Sequence, residues 1–251
     1  MHRKSLTMTT VLLSAVVASA APARAGVDLV TNGGFESNGG NGQLGYNTTA
    51  TGWSLPAGNT GYAFLFAPGT ADTTGANGQF GNLTLYGPGN GNNNGLPATS
   101  PAGGYFLASD TDFQQAAISQ TINGLTVGDE YTVGFWWAGA QQFGFSGSTE
   151  EQWEVSLGSD TQSTAFVMIP QAGFSGWMYQ TFTFTATSAS EALSFFADGT
   201  PGEPPFALLD GVTMMAVPEP STWAMMLVSF GGLGFAAAYR RRRKLAVAAA
   251  G

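Results

Sequence analysis

Glu130-Tyr131-Thr132-Val133-Gly134-Phe135-Trp136-Trp137 and, further along, Tyr179-Gln180-Thr181-Phe182-Thr183-Phe184-Thr185 decide the fold class. In the first, Tyr131, Val133, Phe135 and Trp137 share one parity; in the second, Phe182 and Phe184 oppose Thr181, Thr183 and Thr185. A period of two places alternate side chains on opposite faces of an extended strand, so each segment buries one face and wets the other. Shorter apolar runs continue the pattern at Val27–Val30, Tyr62–Phe66, Tyr105–Ala108, Ala117–Ile122, Trp153–Leu157, Ala165–Ile169, Leu193–Ala197 and Leu208–Met214. Nothing between them shows a helical period with caps. About ten strands in one domain-sized region predict an all-β sandwich, its two sheets closed over inward-pointing aromatics. A jelly roll is the arrangement expected.

The charge distribution narrows the function before any motif does. Every Lys and Arg lies at an end of the chain (Arg3, Lys4, Arg24, Arg240 to Arg243 and Lys244), and the single histidine is His2. Residues 26–217 hold fifteen of the sixteen carboxylates and no basic side chain. Nucleic-acid binding lacks its cations there. Lysine-bearing nucleotide loops, histidine triads, cysteine nucleophiles and His/Cys zinc sites lack their residues. Carboxylate chemistry, oxygen-ligated hard cations, or no catalysis remain.

Both ends read as addresses. Residues 1–25 combine Arg3 and Lys4, an apolar run from Val11 to Ala20, and the small-x-small site Ala23-Arg24-Ala25 before Gly26, which predicts a cleaved secretory signal peptide. An exported chain with no cysteine has no disulfide staple, so its stability has to come from core size or a bound ion. Residues 26–217 are then one β domain, long enough for a well-buried core. Residues 218–251 carry Pro218-Glu219-Pro220-Ser221-Thr222-Trp223-Ala224, an apolar stretch to Tyr239, and a basic run over 240–244. As a helix, 223–239 is about 25 Å long, at the short end for a bilayer. The basic run should stay cytoplasmic, with Pro-Glu-Pro outside.

This tripartite tail resembles the PEP-CTERM sorting signal in its PEP-x-x-W-A form, with the motif at 218–224, a transmembrane helix at 223–239 and a basic tail at 240–244. The resemblance implies an exosortase-type transpeptidase as partner and a transient stay of the precursor in the inner membrane. Cleavage would fall near Pro218, Glu219, Pro220, Trp223 and Ala224. Delivery would be to the cell surface or exopolysaccharide (biofilm) matrix of a Gram-negative bacterium. An uncut type I membrane anchor is the alternative. In either case the domain faces outward.

Between the ends, Leu29-Val30-Thr31-Asn32-Gly33-Gly34-Phe35-Glu36, Gly52-Trp53, Ile118-Ser119-Gln120-Thr121-Ile122 with Gly124-Leu125 and Tyr131-Thr132-Val133, and Leu208-Leu209-Asp210-Gly211-Val212 resemble the galactose-binding-like jelly rolls, many of them carbohydrate-binding modules. In those folds the first and last strands meet around a calcium ion. The resemblance therefore implies a structural calcium at Asn32, Glu36 and Asp210, which a surplus of uncompensated carboxylates would suit. Glu36 as a solvated turn residue and Asp210 as a local hydrogen-bond acceptor are the plainer alternative. The insertion from Tyr62 to Gly104 has no counterpart in those folds. Its Gly87–Gly95 run of Gly, Asn and Pro predicts a mobile surface loop.

Three further clusters bear on chemistry. Asp110-Thr111-Asp112 reads as a turn, because the Gly and distal Glu of a calcium loop are missing. Glu150, Glu151 and Glu154 would give a glycosidase one carboxyl but specify no partner for it, and charge on a strand edge explains them more simply. Trp136 is out of phase with the buried face of its strand. It is expected to be an exposed platform for a sugar ring, with Gln141 and Gln142 beyond it; burial of both tryptophans in a strand covered on two sides is the competing expectation. The leading reading is a non-enzymatic exported surface or matrix protein, calcium-stabilised and binding extracellular polysaccharide. A structural surface component without a specific ligand, and a carboxylate-dependent glycoside hydrolase or lyase, are the alternatives.

Overall fold

A computed structural model describes residues 26–58, 61–200 and 204–217. The expected signal peptide and sorting tail, including Ala23, Ala25, Pro218, Glu219, Pro220, Trp223 and Ala224, lie outside the described residues, among which no helix is long and apolar enough to cross a membrane. The strands in chain order are β1 Gly42–Gln43, β2 Ala63–Phe66, β3 Ala76–Gly78, β4 Gly81–Leu83, β5 Phe106–Asp110, β6 Ile118–Asn123 and β7 Glu130–Gln141. They continue with β8 Thr149–Leu157, β9 Asp160–Ser163, β10 Val167–Ile169, β11 Met178–Thr185, β12 Ser190–Gly199 and β13 Pro205–Ala216.

One antiparallel sheet runs β1-β2-β5-β13-β7-β11. A second runs β10-β8-β12-β6, with β9 also on β8, and β3 pairs with β4 in a small hairpin. From β5 onward the chain changes sheet at every connection except those joining β8, β9 and β10. That alternation agrees with the expected jelly-roll sandwich. Every expected strand forms except Val27–Val30. This segment does lie along β13, where the Leu29 N–H donates to the Met214 carbonyl (2.8 Å). The return bond from Met214 N–H goes to the Asp28 carboxylate (2.8 Å) instead of a backbone carbonyl, so no ladder develops.

The core between the sheets follows the alternation. Tyr131, Val133, Phe135 and Trp137 of β7 and Phe182 and Phe184 of β11 face Trp153, Val155 and Leu157 of β8 and Leu193 and Phe195 of β12. Phe195 packs edge-to-face with Phe135 (5.2 Å, 86°) and with Trp153 (6.0 Å, 83°). Each such burial contributes about 1.5–3 kcal/mol.

The other face of the six-stranded sheet is half covered. Phe64, Phe66, Phe106, Ala138, Phe206 and Leu208 point outward and are roofed by Ala71, Ala76, Leu83, Leu85 and Leu96, forming a second apolar cluster. The insertion is therefore a roof. Its Gly87–Gly95 run also departs from the mobile loop expected of it. A 3-10 turn forms at Pro88–Asn90, Asn90 Nδ2 donates to the Leu85 carbonyl (2.7 Å), and Asn94 Nδ2 donates to the carbonyls of Tyr86 (2.8 Å) and Ala172 (3.0 Å). Asparagine side chains supply the order that apolar burial does not.

Candidate functional site

The roof stops midway across its sheet. On the outer face of β7, Ala138 and Ala140 lie beneath it, whereas Thr132, Gly134 and Trp136 do not belong to its cluster. Beside these lie Tyr179, Thr181 and Thr183 of β11, all exposed, and Thr213 and Met215 of β13. Trp136 and Tyr179 are cross-strand partners with ring centroids 5.1 Å apart at 57°, so the two rings make one continuous aromatic surface. Trp136 is half-buried and Tyr179 is 53% exposed, while Trp137 on the opposite face is 4% exposed.

Gly134 makes this geometry available, because a Cβ there would collide with the Tyr179 hydroxyl. Hydroxyls border the aromatic surface. Thr132 and Thr183 approach at 3.5 Å, and Thr213 Oγ1 donates to the Gly134 carbonyl (3.3 Å). None of these side chains is charged. Sequence reasoning placed Trp136 on this face but did not name Tyr179, although its parity with Thr181 and Thr183 points the same way.

The two glutamines do not join the platform. Gln141 shares the parity of Trp137, is 1% exposed, and faces inward, where Nε2 donates to Thr149 Oγ1 (3.1 Å) and Oε1 accepts from Ala172 N–H (2.6 Å). Gln142 has the parity of Trp136 but lies where the roof meets the strand: its backbone bridges Leu85 and its N–H donates to the Pro204 carbonyl (3.2 Å).

Of the three residues expected to hold an ion, two come together. Glu36 and Asp210 flank Gly34, whose Cβ, if present, would lie 3.7 Å from Asp210 Oδ1 and 3.9 Å from Glu36 Cγ. Glu36 Oε1 accepts from Tyr105 N–H (2.8 Å). Asp210 Oδ1 accepts from Gly211 N–H (2.7 Å) and its Oδ2 from the Ser100 hydroxyl. Asp210 is fully buried; burial pushes it up to about 7 against the hydrogen bonds from Ser100 and Gly211, with the Glu36 charge adding to the rise. Asn32 is turned away: Nδ2 donates to the carbonyls of Ser37 and Thr51 (3.0 Å each) and Oδ1 accepts from Ser37 N–H (2.8 Å). Among the described residues no three acidic side chains converge as a ligand group. Gly26 lies exposed beside Met215 and Ala216.

The other acidic clusters have local explanations. Asp110 Oδ1 accepts from the N–H groups of Asp112 (2.9 Å) and Phe113 (2.8 Å), the expected turn. Burial raises Asp110 to about 6 despite those bonds. Glu151 has no exposed surface, and burial pushes it up to about 8, so a polysaccharide cannot reach it in this conformation.

The described residues therefore define an all-β sandwich with one open aromatic half-face. Residues 216–243 match the PEP-CTERM protein-sorting motif, so the chain carries the tail of an exported protein processed at the cell envelope. No curated protein matches the sequence. Among solved structures it is similar to TmCBM61 in complex with β-1,4-galactotriose, at 13% identity over 76% of this chain and 99% of that chain, TM-score 0.36. It is also similar to the CBM22-1 xylan-binding domain of Xyn10C from Paenibacillus barcinonensis (13% identity, 79% and 99% covered, TM-score 0.39). A third is the enzymatically active domain of tailspike protein 4 from bacteriophage CBA120 (14% identity, 76% and 21% covered, TM-score 0.36).

Proposed function

We propose that this is a non-enzymatic surface or matrix protein that an exosortase-type transpeptidase releases from the inner membrane, and whose sandwich binds extracellular polysaccharide. The observation that carries the binding reading is the Trp136–Tyr179 surface, left open on a sheet face whose other half is roofed. Aromatic rings offer a flat apolar face to the C–H side of a sugar, and the neighbouring threonine hydroxyls can both donate and accept. A domain with fifteen carboxylates and no base repels polyanions, so the ligand is an uncharged glycan. Binding to a panel of neutral and acidic polysaccharides tests this. Saturable binding to a neutral glycan, lost in Trp136→Ala and Tyr179→Ala, is expected; no binding across the panel would overturn it.

Calcium belongs to the same proposal as a structural ion. Glu36 and Asp210 supply hard oxygen donors with no cationic side chain to neutralise them, which suits such an ion, and nearby backbone carbonyls would complete its shell. Asn32 is not among the donors, its amide being committed elsewhere. Release from the membrane is checked by the mass of the surface protein. A species ending within the 218–224 segment is expected, and retention of residues 225–251 would contradict processing.

A further inference from the structure

Where β7 ends and β8 begins, Gln141 of one sheet meets Thr149 and Glu151 of the other. They are 1%, 2% and 0% exposed. The 2.6 Å bond from Ala172 N–H identifies the oxygen of the Gln141 amide, so Nε2 faces Thr149 Oγ1 (3.1 Å) and the carbonyls of Gly147 (3.2 Å) and Ile169 (3.4 Å). Two amide hydrogens thus serve three acceptors, of which Ile169 lies beyond the usual range. The Thr149 hydroxyl gives its own proton to Glu151 Oε1 (2.6 Å), which leaves its lone pairs on the amide side. Glu151 Oε2 has no hydrogen-bond partner. It lies 3.0 Å from where a Cβ on Gly139 would sit.

A network that only satisfied a buried glutamine would not need an uncompensated acid behind its threonine, since such a group is costly to bury. Ala172, the donor to the amide oxygen, has φ 58, a left-handed conformation disfavoured for a residue with a Cβ. A hydroxyl, a proton acceptor for it, the amide whose Nε2 donates to that hydroxyl and a donor on the same amide's oxygen therefore meet in one buried place. This is the set of roles acyl transfer requires.

We propose that Thr149 and Gln141 join in an intramolecular ester that ties the two sheets together. Thr149 Oγ attacks Gln141 Cδ while its proton passes to Glu151. The Ala172 N–H holds the oxygen of the tetrahedral intermediate. The Cδ–Nε2 bond then breaks, and the nitrogen leaves as ammonia with the proton returned from Glu151. One carboxamide and one hydroxyl become one ester and one ammonia, Glu151 is regenerated, and no oxidant, metal or cofactor is consumed. In its ionised form, a carboxyl that burial has made more basic is suited to take the hydroxyl proton and then to give it to the leaving amine. Ammonia lost to bulk solvent does not readily return to a closed site, and exclusion of water protects the ester. The link would give an exported chain without cysteines a covalent tie between its sheets.

Intact mass and peptide mapping of the folded full chain test this. The wild type should fall short of its sequence mass by one ammonia, and digestion should yield a single cross-linked species joining Gln141 to Thr149. Thr149→Ala and Glu151→Gln should recover the missing mass, whereas Thr149→Ser should keep the link. Full sequence mass in the folded wild type overturns the proposal, whatever the variants do. A deficit that maps to an Asn-Gly pair, or that persists in Thr149→Ala, overturns it equally.

Discussion

Asp210 stands directly opposite Trp136 across the ladder between β7 and β13. The register shifts between Asp210 and Thr213, and Gly211 in the break has φ 59. A methyl on Gly211 would lie 3.2 Å from Trp136 Cδ1. Carboxylate and indole thus share one rung, and whatever settles the Asp210 carboxylate also settles the backbone against which the indole rests. Calcium should raise the melting temperature and shift the tryptophan emission of the ligand-free protein. Both effects should vanish in Asp210→Asn. A melting temperature unmoved by calcium or by a chelator would remove the ion from the account.

Adjacent tryptophans should give opposite phenotypes. Trp137→Ala empties a core position and should cost about 3–5 kcal/mol in denaturant unfolding. Trp136→Ala uncovers only a half-buried ring and should cost about 1–2 kcal/mol while weakening glycan binding at least tenfold. Equal losses of stability would mean that the platform is ordinary core.

Buried acids set the pH dependence. A carboxyl whose pKa is higher folded than unfolded binds more protons in the native state, so stability falls as pH rises between the two values. For Glu151 that window runs from 4.5 to about 8, and for Asp110 from 3.8 to about 6. The neighbours Glu150, Asp112 and Tyr62 bring no positive charge. Unfolding free energies from urea titrations should be higher at pH 5 than at pH 8, by a few kcal/mol at roughly 1.4 kcal/mol per pKa unit. Glu151→Gln should flatten most of the slope above pH 7, since Asp210 shares the slope below it. Stability that rises from pH 5 to pH 8 would contradict the buried neutral acids.

Gly33 joins the start of the domain to its last strand. Val212 N–H donates to the Gly33 carbonyl (3.0 Å), and a Cβ on Gly33 would overlap the Val212 carbonyl. Gly33→Ala should therefore cost about 2 kcal/mol or more and weaken any calcium response, since Glu36 is three residues away. Circular dichroism melts with and without calcium measure both.

Period-two patterning made the sandwich legible because it reports directly which side of a sheet each residue faces. Trp136 and Trp137 were separable on that ground alone. Gln141 was misplaced because β7 was taken to end at Trp137; carrying the same alternation four residues further would have put it inside. The roof was not legible. Ala71, Ala76, Leu83, Leu85 and Leu96 cover the sheet from short segments whose spacing has no period. The pairing of Glu36 with Asp210 was legible only through family resemblance, because residues so far apart in sequence meet through topology. The meeting of Gln141 with Thr149 and Glu151 depends in the same way on how two sheets close.

The half-roof has a consequence for how a polymer could be held. On one side of Trp136 stands the insertion, with Ala102 against Gly211; on the other, β11 is the last strand of its sheet. A chain laid over Trp136 and Tyr179 has a wall along one flank and open water along the other, with nothing to demand a free terminus. Such a ledge would grip the middle of a polymer as readily as its tip, and so would let a protein be hung at many points along a continuous mesh.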